Sequence, residues 1–218
     1  MLYVVATPIG NLDDITLRAI EVLKSVDVIY CEDTRHSAIL LDRIGATAPR
    51  ESFHHHTSPE KLAAVVRRLE HGEIAAYITD AGTPGVADPI GLLAEACHKA
   101  GVTVTPIPGP ATVAVILSVA GLPANTFWFA GFVPTKKGRQ TYIKELINYK
   151  GTIVIFETAP RLLKFLDQFI ALGGGDKKIV VGRELTKKFE EILTGTAAEH
   201  KEHFTKNAPK GEFVIAIA

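Results

Sequence analysis

The sequence predicts an α/β protein of two lobes. Three observations carry that prediction. Strand-like and helix-like runs alternate along all 218 residues; the alternation pauses at GLPANT (121–126), where turn residues cluster, and then restarts; and the charge changes sign at the same place. Residues 1–120 hold 9 Lys and Arg against 14 Asp and Glu, whereas residues 121–218 hold 15 against 10. Alternation of this kind means a mostly parallel sheet with helices packed on its faces. The lobes are expected at residues 1–121 and 122–218.

In the first lobe LYVVA reads as a strand, and DITLRAIEVLKSV as a helix with Ile15, Ala19, Val22 and Val26 on one face. DVIYC is the next strand. HSAILLDRIG is a helix closed by Gly45 and SPEKLAAVVRRLEHG another closed by Gly72, glycine being the residue that most readily takes the left-handed conformation ending a helix. Ser58 is placed to cap the second of these, although Lys61 stands where a capping box would have Glu. EIAAYI is a short buried strand, IGLLAEACHKA a helix with Leu92, Leu93, Ala96 and Cys97 on one face, VTVTPI a strand and ATVAVILSVAG a helix. The second lobe repeats the alternation. TFWFAGF is a strand with Trp128 in the core, KKGRQTYIKELINY a helix, GTIVIFE a strand, and PRLLKFLDQFIALGGG a helix that opens on proline and ends in glycines. KKIVVGRE, EEILTG and GEFVIAIA are the remaining strands, with the helix AAEHKEHF before the last.

Composition narrows the class. Apolar residues make up 47% and charged residues 22%, as in soluble globular proteins. No apolar run reaches the roughly 18 residues of a membrane helix, so no membrane partner is expected. MLYVVATPIG carries neither a basic leader nor a small-residue cleavage site and reads as a first strand. Cys31 and Cys97 stand alone, without zinc or redox spacing, which fits a reducing cytoplasm. Zero net charge argues against a purely electrostatic nucleic-acid binder, while the basic second half suits either a polyanionic partner or a solvated lysine face.

Four polar loops follow predicted strands of the first lobe: ATPIGNLDD, CEDTRHS, DAGTPGVADP and IPGPAT. Ligands of open α/β sheets bind at the carboxyl ends of strands. Glycine there lets the backbone approach a ligand, and proline reduces the order lost on binding. No GxGxxG follows the first strand and no GxxxxGK[ST] occurs, which weakens dinucleotide and nucleoside-triphosphate readings.

VATPIGNLDDIT, CEDTRHSAILL, DAGTPGVADP, IPGPA, GFVPTKKG, RELTKKFEEI and KGEFVIAI occur in an order and at spacings that resemble the ribosomal RNA small subunit methyltransferase I family across essentially the whole chain. The resemblance implies a two-lobed, tetrapyrrole-methylase-like α/β fold with S-adenosylmethionine (SAM) in the cleft between lobes. It implies methylation of the ribose 2′-hydroxyl of a decoding-centre cytidine in 16S rRNA, within the 30S subunit, by a homodimer. Carried over by position, Asp80, Gly82, Thr83 and Val86 would line the cofactor, mostly through backbone atoms, with Pro8 nearby on the first loop, Ala111 and Thr112 on the other side, and Phe156, Glu157, Phe213 and Ala216 contributed by the second lobe. Ala111 replaces the serine of the usual PGPSA, ETAPR stands for ESPHR, and DPIG for DPG.

The implied reaction needs a base, or a cation that favours the alkoxide, beside the sugar hydroxyl. Glu32, Asp33 and Arg35 in CEDTR, and Arg183 and Glu184 in RELTK, are the catalytic candidates. Acid–arginine neighbours are also common structural pairs, and the choice between Glu32 and Asp33 stays open. Lys136, Lys137, Arg139 and Lys187 are candidates for RNA phosphates, with Tyr142 available for stacking. HHH at 54–56 points its side chains to alternate sides and reads as a surface turn or substrate contact; no metal is expected. Asp88 reads as the cap of the following helix. A same-fold enzyme acting on a small molecule or a protein side chain, and a non-catalytic SAM-binding module, stay open beside the RNA reading.

Overall fold

The computed structural model describes residues 1–86, 88 and 90–218. The chain divides into two compact units, Met1–Ala111 and Thr112–Ala218.

The first unit is built on five parallel strands: β1 (Leu2–Val5), β2 (Val28–Cys31), β3 (Arg50–Ser52), β4 (Ala75–Ile78) and β5 (Val104–Ile107). Their order is β3-β2-β4-β1-β5. Successive side chains point to opposite faces, so Val28, Tyr30, Ala75 and Tyr77 enter one core layer and Ile29, Cys31, Ala76 and Ile78 the other. A sheet covered on both faces has continuously apolar strands, which is why DVIYC and EIAAYI show no alternation. α1 (Leu17–Ser25) and α2 (Thr34–Ile44) cover one layer with Ala19, Leu23, Leu40, Leu41 and Ile44. α3 (Pro59–Glu70) and α4 (Ile90–Lys99) cover the other with Val65, Leu69, Leu93 and Cys97. Thr16 starts α1 by accepting the Ala19 N–H at 3.1 Å, and Ser58 starts α3 by accepting the Lys61 N–H at 3.3 Å. Both thiols are buried, and burial pushes Cys31 up to about 11.

Two local expectations change. Leu92 is 59% exposed, because the buried stripe of α4 runs through Ile90, Leu93 and Cys97, and Leu92 lies off it. The strand β3, unforeseen, is a polar three-residue edge strand whose side chains are all half-buried.

The second unit carries α5 (Thr112–Ala120) and a mixed sheet of β6 (Phe127–Phe132), β7 (Thr152–Thr158), β8 (Lys178–Arg183), β9 (Glu191–Thr196) and β10 (Glu212–Ile217). The order is β6-β7-β10-β8-β9, with only β6 and β7 parallel. Ile153, Ile155, Ile179, Val181, Phe213, Ile215 and Ile217 form one face. α6 (Arg139–Asn148), α7 (Ala159–Phe169) and α8 (Ala197–Lys206) cover it with Ile143, Leu146, Leu162, Phe165, Leu166 and Phe204. Trp128 packs against this core, its ring 5.9 Å from Tyr142. On the opposite face α5 lies against β10. A Cβ on Gly182 would come within 2.9 Å of Ile116 Cδ1, so that close approach requires glycine. This packing assigns α5 to the second unit, and the division therefore falls before the turn-rich stretch at 121–126 where the sequence suggested it.

Candidate functional site

In the first unit the chain leaves β1 and β2 towards helices on one face and leaves β4 towards α4 on the other. The carboxyl end of β4, flanked by β1 and β2, is thus a topological switch point, where α/β sheets open a crevice for ligands. The TDAGTPGVADP loop begins there and ties to both neighbours. Thr7 and Gly82 exchange both backbone hydrogen bonds, at 3.0 and 3.1 Å. On the other side the Asp33 N–H donates to Asp80 Oδ1 at 3.3 Å. Gly82 has φ of 82°, and a Cβ there would sit 3.2 Å from Ile9 Cγ2. The Thr83 hydroxyl donates to the Pro110 carbonyl at 2.9 Å, joining the loop after β5. Asp88 caps α4 as expected, accepting the Ile90 N–H at 3.1 Å and the Gly85 N–H at 2.6 Å. Ala87 and Pro89 of the loop lie outside the described residues.

This geometry sorts the expected cofactor contacts. Both backbone groups of Gly82 are committed to Thr7 and the Thr83 hydroxyl to Pro110, so these residues shape the loop. Pro8 is buried, Ala111 half-buried, Asp80 exposed and Val86 40% exposed. Thr112 opens α5 in the second unit and is half-buried.

Glu32 and Asp33, adjacent at the end of β2, differ sharply. Asp33 is the N-cap of α2: it accepts the Arg35 N–H at 2.8 Å and pairs with the Arg35 guanidinium at 3.1 Å. Those bonds hold its carboxyl below the usual range. Glu32 is half-buried and has no hydrogen-bond or ion-pair partner among the described residues. Burial first, and then Asp80 and Asp88, push its carboxyl up, against the pull of His55 and His54. Tyr77 is fully buried, and its hydroxyl has no partner among the described residues. At HHH the His56 N–H donates to His54 Nδ1 at 3.1 Å and the Thr57 N–H to the His54 carbonyl at 2.8 Å, closing a surface turn. No group of three or more His, Cys, Asp or Glu side chains is placed to hold a metal ion among the described residues.

In the second unit the residues expected to line the cofactor each have partners within the unit. Phe213 is 3% exposed, its ring 5.5 Å from Phe204, because strand alternation directs it into the helix-covered core. Ala216 is fully buried on the opposite face. Phe156 is half-buried against Phe129 and Phe132, at 5.0 and 5.6 Å. Glu157 is 1% exposed and pairs with Arg161 at 3.1 Å. Its Oε1 accepts the Thr158 N–H at 2.9 Å, and Oε2 has no partner among the described residues. Burial raises this carboxyl, opposed by the Thr158 bond and the charges of Arg161 and Arg139. Arg139 is 6% exposed, donating to Gln168 Oε1 at 2.6 Å and to the Pro134 carbonyl at 2.9 Å. That leaves Lys136 and Lys137 as the exposed cations of KKGR. Arg139, Lys136 and Lys164 also line a cavity of about 460 Å³ that contains no acidic side chain.

RELTK forms a braced turn. Glu184 accepts the Glu212 N–H at 2.9 Å and the Lys187 ammonium at 3.1 Å, and Lys187 also reaches Glu212 Oε2 at 2.7 Å. Burial pushes the Glu184 carboxyl up, but these donors outweigh it and the group lies below its ordinary range. Arg183 donates to the Lys210 carbonyl at 2.8 Å and approaches Glu191 at 3.5 Å. Glu184 and Lys187 therefore have internal partners for the charges that the sequence offered to catalysis and RNA. Sequence reasoning missed Arg161 and Gln168, although the i, i+4 spacing of Glu157 and Arg161 was visible, and it passed over Phe189.

The pattern of the family described as "Tetrapyrrole (Corrin/Porphyrin) Methylases" matches residues 1–201. The ribosomal RNA small subunit methyltransferase I of Mesorhizobium japonicum is 44% identical over 218 residues, covering 99% of this chain and 74% of that protein. The protein of the same name from Escherichia coli O157:H7 is 41% identical (99% and 77%), and that from Thermotoga maritima 36% identical (100% and 97%). Among solved structures, diphthine synthase superposes with a TM-score of 0.74 at 15% identity, covering 100% of this chain and 89% of that one. A cobalt precorrin-4 methyltransferase of cobalamin biosynthesis superposes at 0.71 with 21% identity (100% and 94%). These distant structures share the fold, and the closer sequences fix the branch: the chain belongs to the ribosomal RNA small subunit methyltransferase I family of the tetrapyrrole methylases.

Proposed function

We propose that this protein transfers a methyl group from SAM to the ribose 2′-hydroxyl of a decoding-centre cytidine in 16S rRNA. The relatives' name supports the RNA substrate and the methyl transfer. The observation that carries the chemistry is Glu32: a half-buried carboxylate at the switch point, with no partner among the described residues and a raised affinity for protons. Bound SAM would supply an electrophilic methyl group on a sulfonium, whose S–CH3 bond breaks as the O–CH3 bond forms and leaves a neutral thioether, S-adenosylhomocysteine. The strand-end carboxylates Glu32 and Asp80 fit a donor that carries sulfonium and ammonium charges. In this reading Asp80 meets the donor's polar groups, Val86 and Ala111 offer apolar surface, and the buried Pro8 fixes the loop behind them. Glu32 takes the proton that the ribose hydroxyl loses as its oxygen gains the methyl group. Asp33 is the poorer base, because capping α2 and pairing with Arg35 hold it ionised. Lys136 and Lys137 supply positive charge for the RNA backbone.

The test is transfer of radiolabelled methyl from SAM to 30S subunits and to naked 16S rRNA, with the labelled position mapped. Label on a sugar oxygen is expected, and label on a base would overturn the reading. Glu32→Gln should lower kcat by about 10²–10⁴-fold, the usual worth of a general base, with SAM affinity kept in calorimetry. We also infer a homodimer that meets its substrate in the 30S subunit. The exposed Phe127 and Phe132 on the edge strand β6 support self-association, and light scattering that gave a monomer mass would end that part of the reading.

A further inference from the structure

Phe189 is 66% exposed, the most exposed aromatic side chain among the large hydrophobics of the second unit. A ring left in water forgoes the stabilisation that burial would bring, so its position calls for a reason. The turn that carries it is not loose. Glu184 and Thr186 hold left-handed backbone, with φ of 48° and 64°, a conformation that costs free energy in residues other than glycine and persists only where the surroundings enforce it. The enforcement is visible: the Glu184 N–H donates to the Glu212 carbonyl at 3.0 Å, Lys187 bridges Glu184 and Glu212, and the Thr186 N–H donates to Glu190 Oε2 at 2.6 Å. Gly211, with φ of 87°, is required beside it, since a Cβ there would meet the Glu184 carboxyl at 2.5 Å. The ring is thus presented on a rigid support.

Phe189 lines a cavity of about 340 Å³ with Arg183, Glu184, Lys210 and Gly211, within the roughly 300–1,000 Å³ range of small-ligand clefts. The Lys188 ammonium lies 5.7 Å from the ring centroid. Glu184, the one acid of the lining, already has Lys187 as its counter-ion, whereas Lys188 and Lys210 form no ion pair among the described residues. An exposed ring bordered by free cations is the arrangement that binds single-stranded nucleic acid, the ring stacking on a base and the cations meeting phosphates.

We propose that Phe189 is a stacking platform for one unpaired nucleobase of the RNA, with Lys188 and Lys210 supplying charge for the adjoining phosphates. The proposal rests on the RNA reading above and adds a recognition contact to it. Methyl transfer to 30S subunits or naked 16S rRNA, whichever the wild type accepts, compares wild type with Phe189→Ala, Phe189→Leu and Phe189→Trp. The alanine and leucine variants should raise KM for RNA by about 5- to 150-fold, with Phe189→Trp within about threefold of wild type. SAM affinity and the thermal midpoint should be unchanged in all three. An unmoved KM in Phe189→Ala, or full recovery by Phe189→Leu, would overturn the platform, since leucine restores apolar contact without a π face. A wild type that transfers methyl to neither RNA would instead overturn the functional reading, and this inference with it.

Discussion

Glu157 is 1% exposed, carries one oxygen without a partner among the described residues, and is paired with Arg161 while Arg139, itself 6% exposed, adds its charge nearby. Removing one member of a fully buried pair costs about 3–5 kcal/mol; Arg161 is 26% exposed and keeps part of its hydration, so the cost here is lower, about 1–3 kcal/mol, that of leaving buried donors unsatisfied. Glu157→Ala is therefore expected to destabilise the protein by about that amount in urea titration, and a loss below about 1 kcal/mol would show that the cluster is solvated and unimportant. The contrast between Glu32 and Asp33 belongs to the same scale. In sequence they are two acids in CEDTR, and no pattern ranks them. What separates them is the start of α2: the helix begins one residue after Asp33, whose side chain then caps it and meets Arg35. Which of the two acids caps the helix depends on where it starts, so their difference was not legible before the helix terminus was placed.

Elements with strong apolar periodicity were legible: α1, α2, α3 and the buried strands of both sheets lie where the sequence placed them, as does α7 up to Phe169, beyond which Ile170–Gly174 winds as a π-helix. β3 was not, because three polar residues at a sheet edge carry no pattern of their own. Phe189 was passed over, since nothing in the sequence marks an aromatic residue as exposed. α8 carries a pH consequence. Its His200 is 3% exposed and donates from Nε2 to the Ile179 carbonyl at 3.0 Å. Burial lowers its proton affinity despite that bond, so the folded chain keeps the ring neutral while the unfolded chain takes up a proton near pH 6.5. Its contribution to stability is therefore present above about pH 6.5 and is lost as the pH falls below it. Urea unfolding between pH 7.5 and 5.5 should show wild type losing stability relative to His200→Asn by up to about 1.4 kcal/mol per pH unit. Parallel pH slopes for the two proteins would refute it.

At the scale of the molecule, the two units carry opposite charge: every Lys and Arg in excess lies after residue 120 and every excess Asp and Glu before it. The chain thus presents an acidic strand-end edge in one unit, suited to a cationic donor, and a basic unit suited to a polyanion, although its net charge is zero. RNA binding should then weaken steeply with added salt, and Lys136→Ala with Lys137→Ala should flatten the slope of log K against log salt by about 0.7 for each phosphate that is no longer neutralised. Filter binding between about 50 and 200 mM salt would measure this, and an unchanged slope would remove both lysines from the interface. The two-part organisation was legible from the charge reversal and the restart of the alternation. The placement of α5 was not, because its nine uncharged residues carry no sign and its packing on β10 needs the whole second sheet.

The thiol of Cys31, sealed in the sheet one residue before Glu32 and pushed up to about 11, makes the strand end self-reporting. Alkylating reagents attack thiolates and need access, so labelling of Cys31 requires β2 to open and its rate measures how often that happens. A molecule bound to the closed form should retard the labelling in proportion to its occupancy. Cys31, read against a Cys97→Ser background, would thus serve as an intrinsic occupancy gauge; labelling as fast as a free thiol would mean that this edge is never sealed.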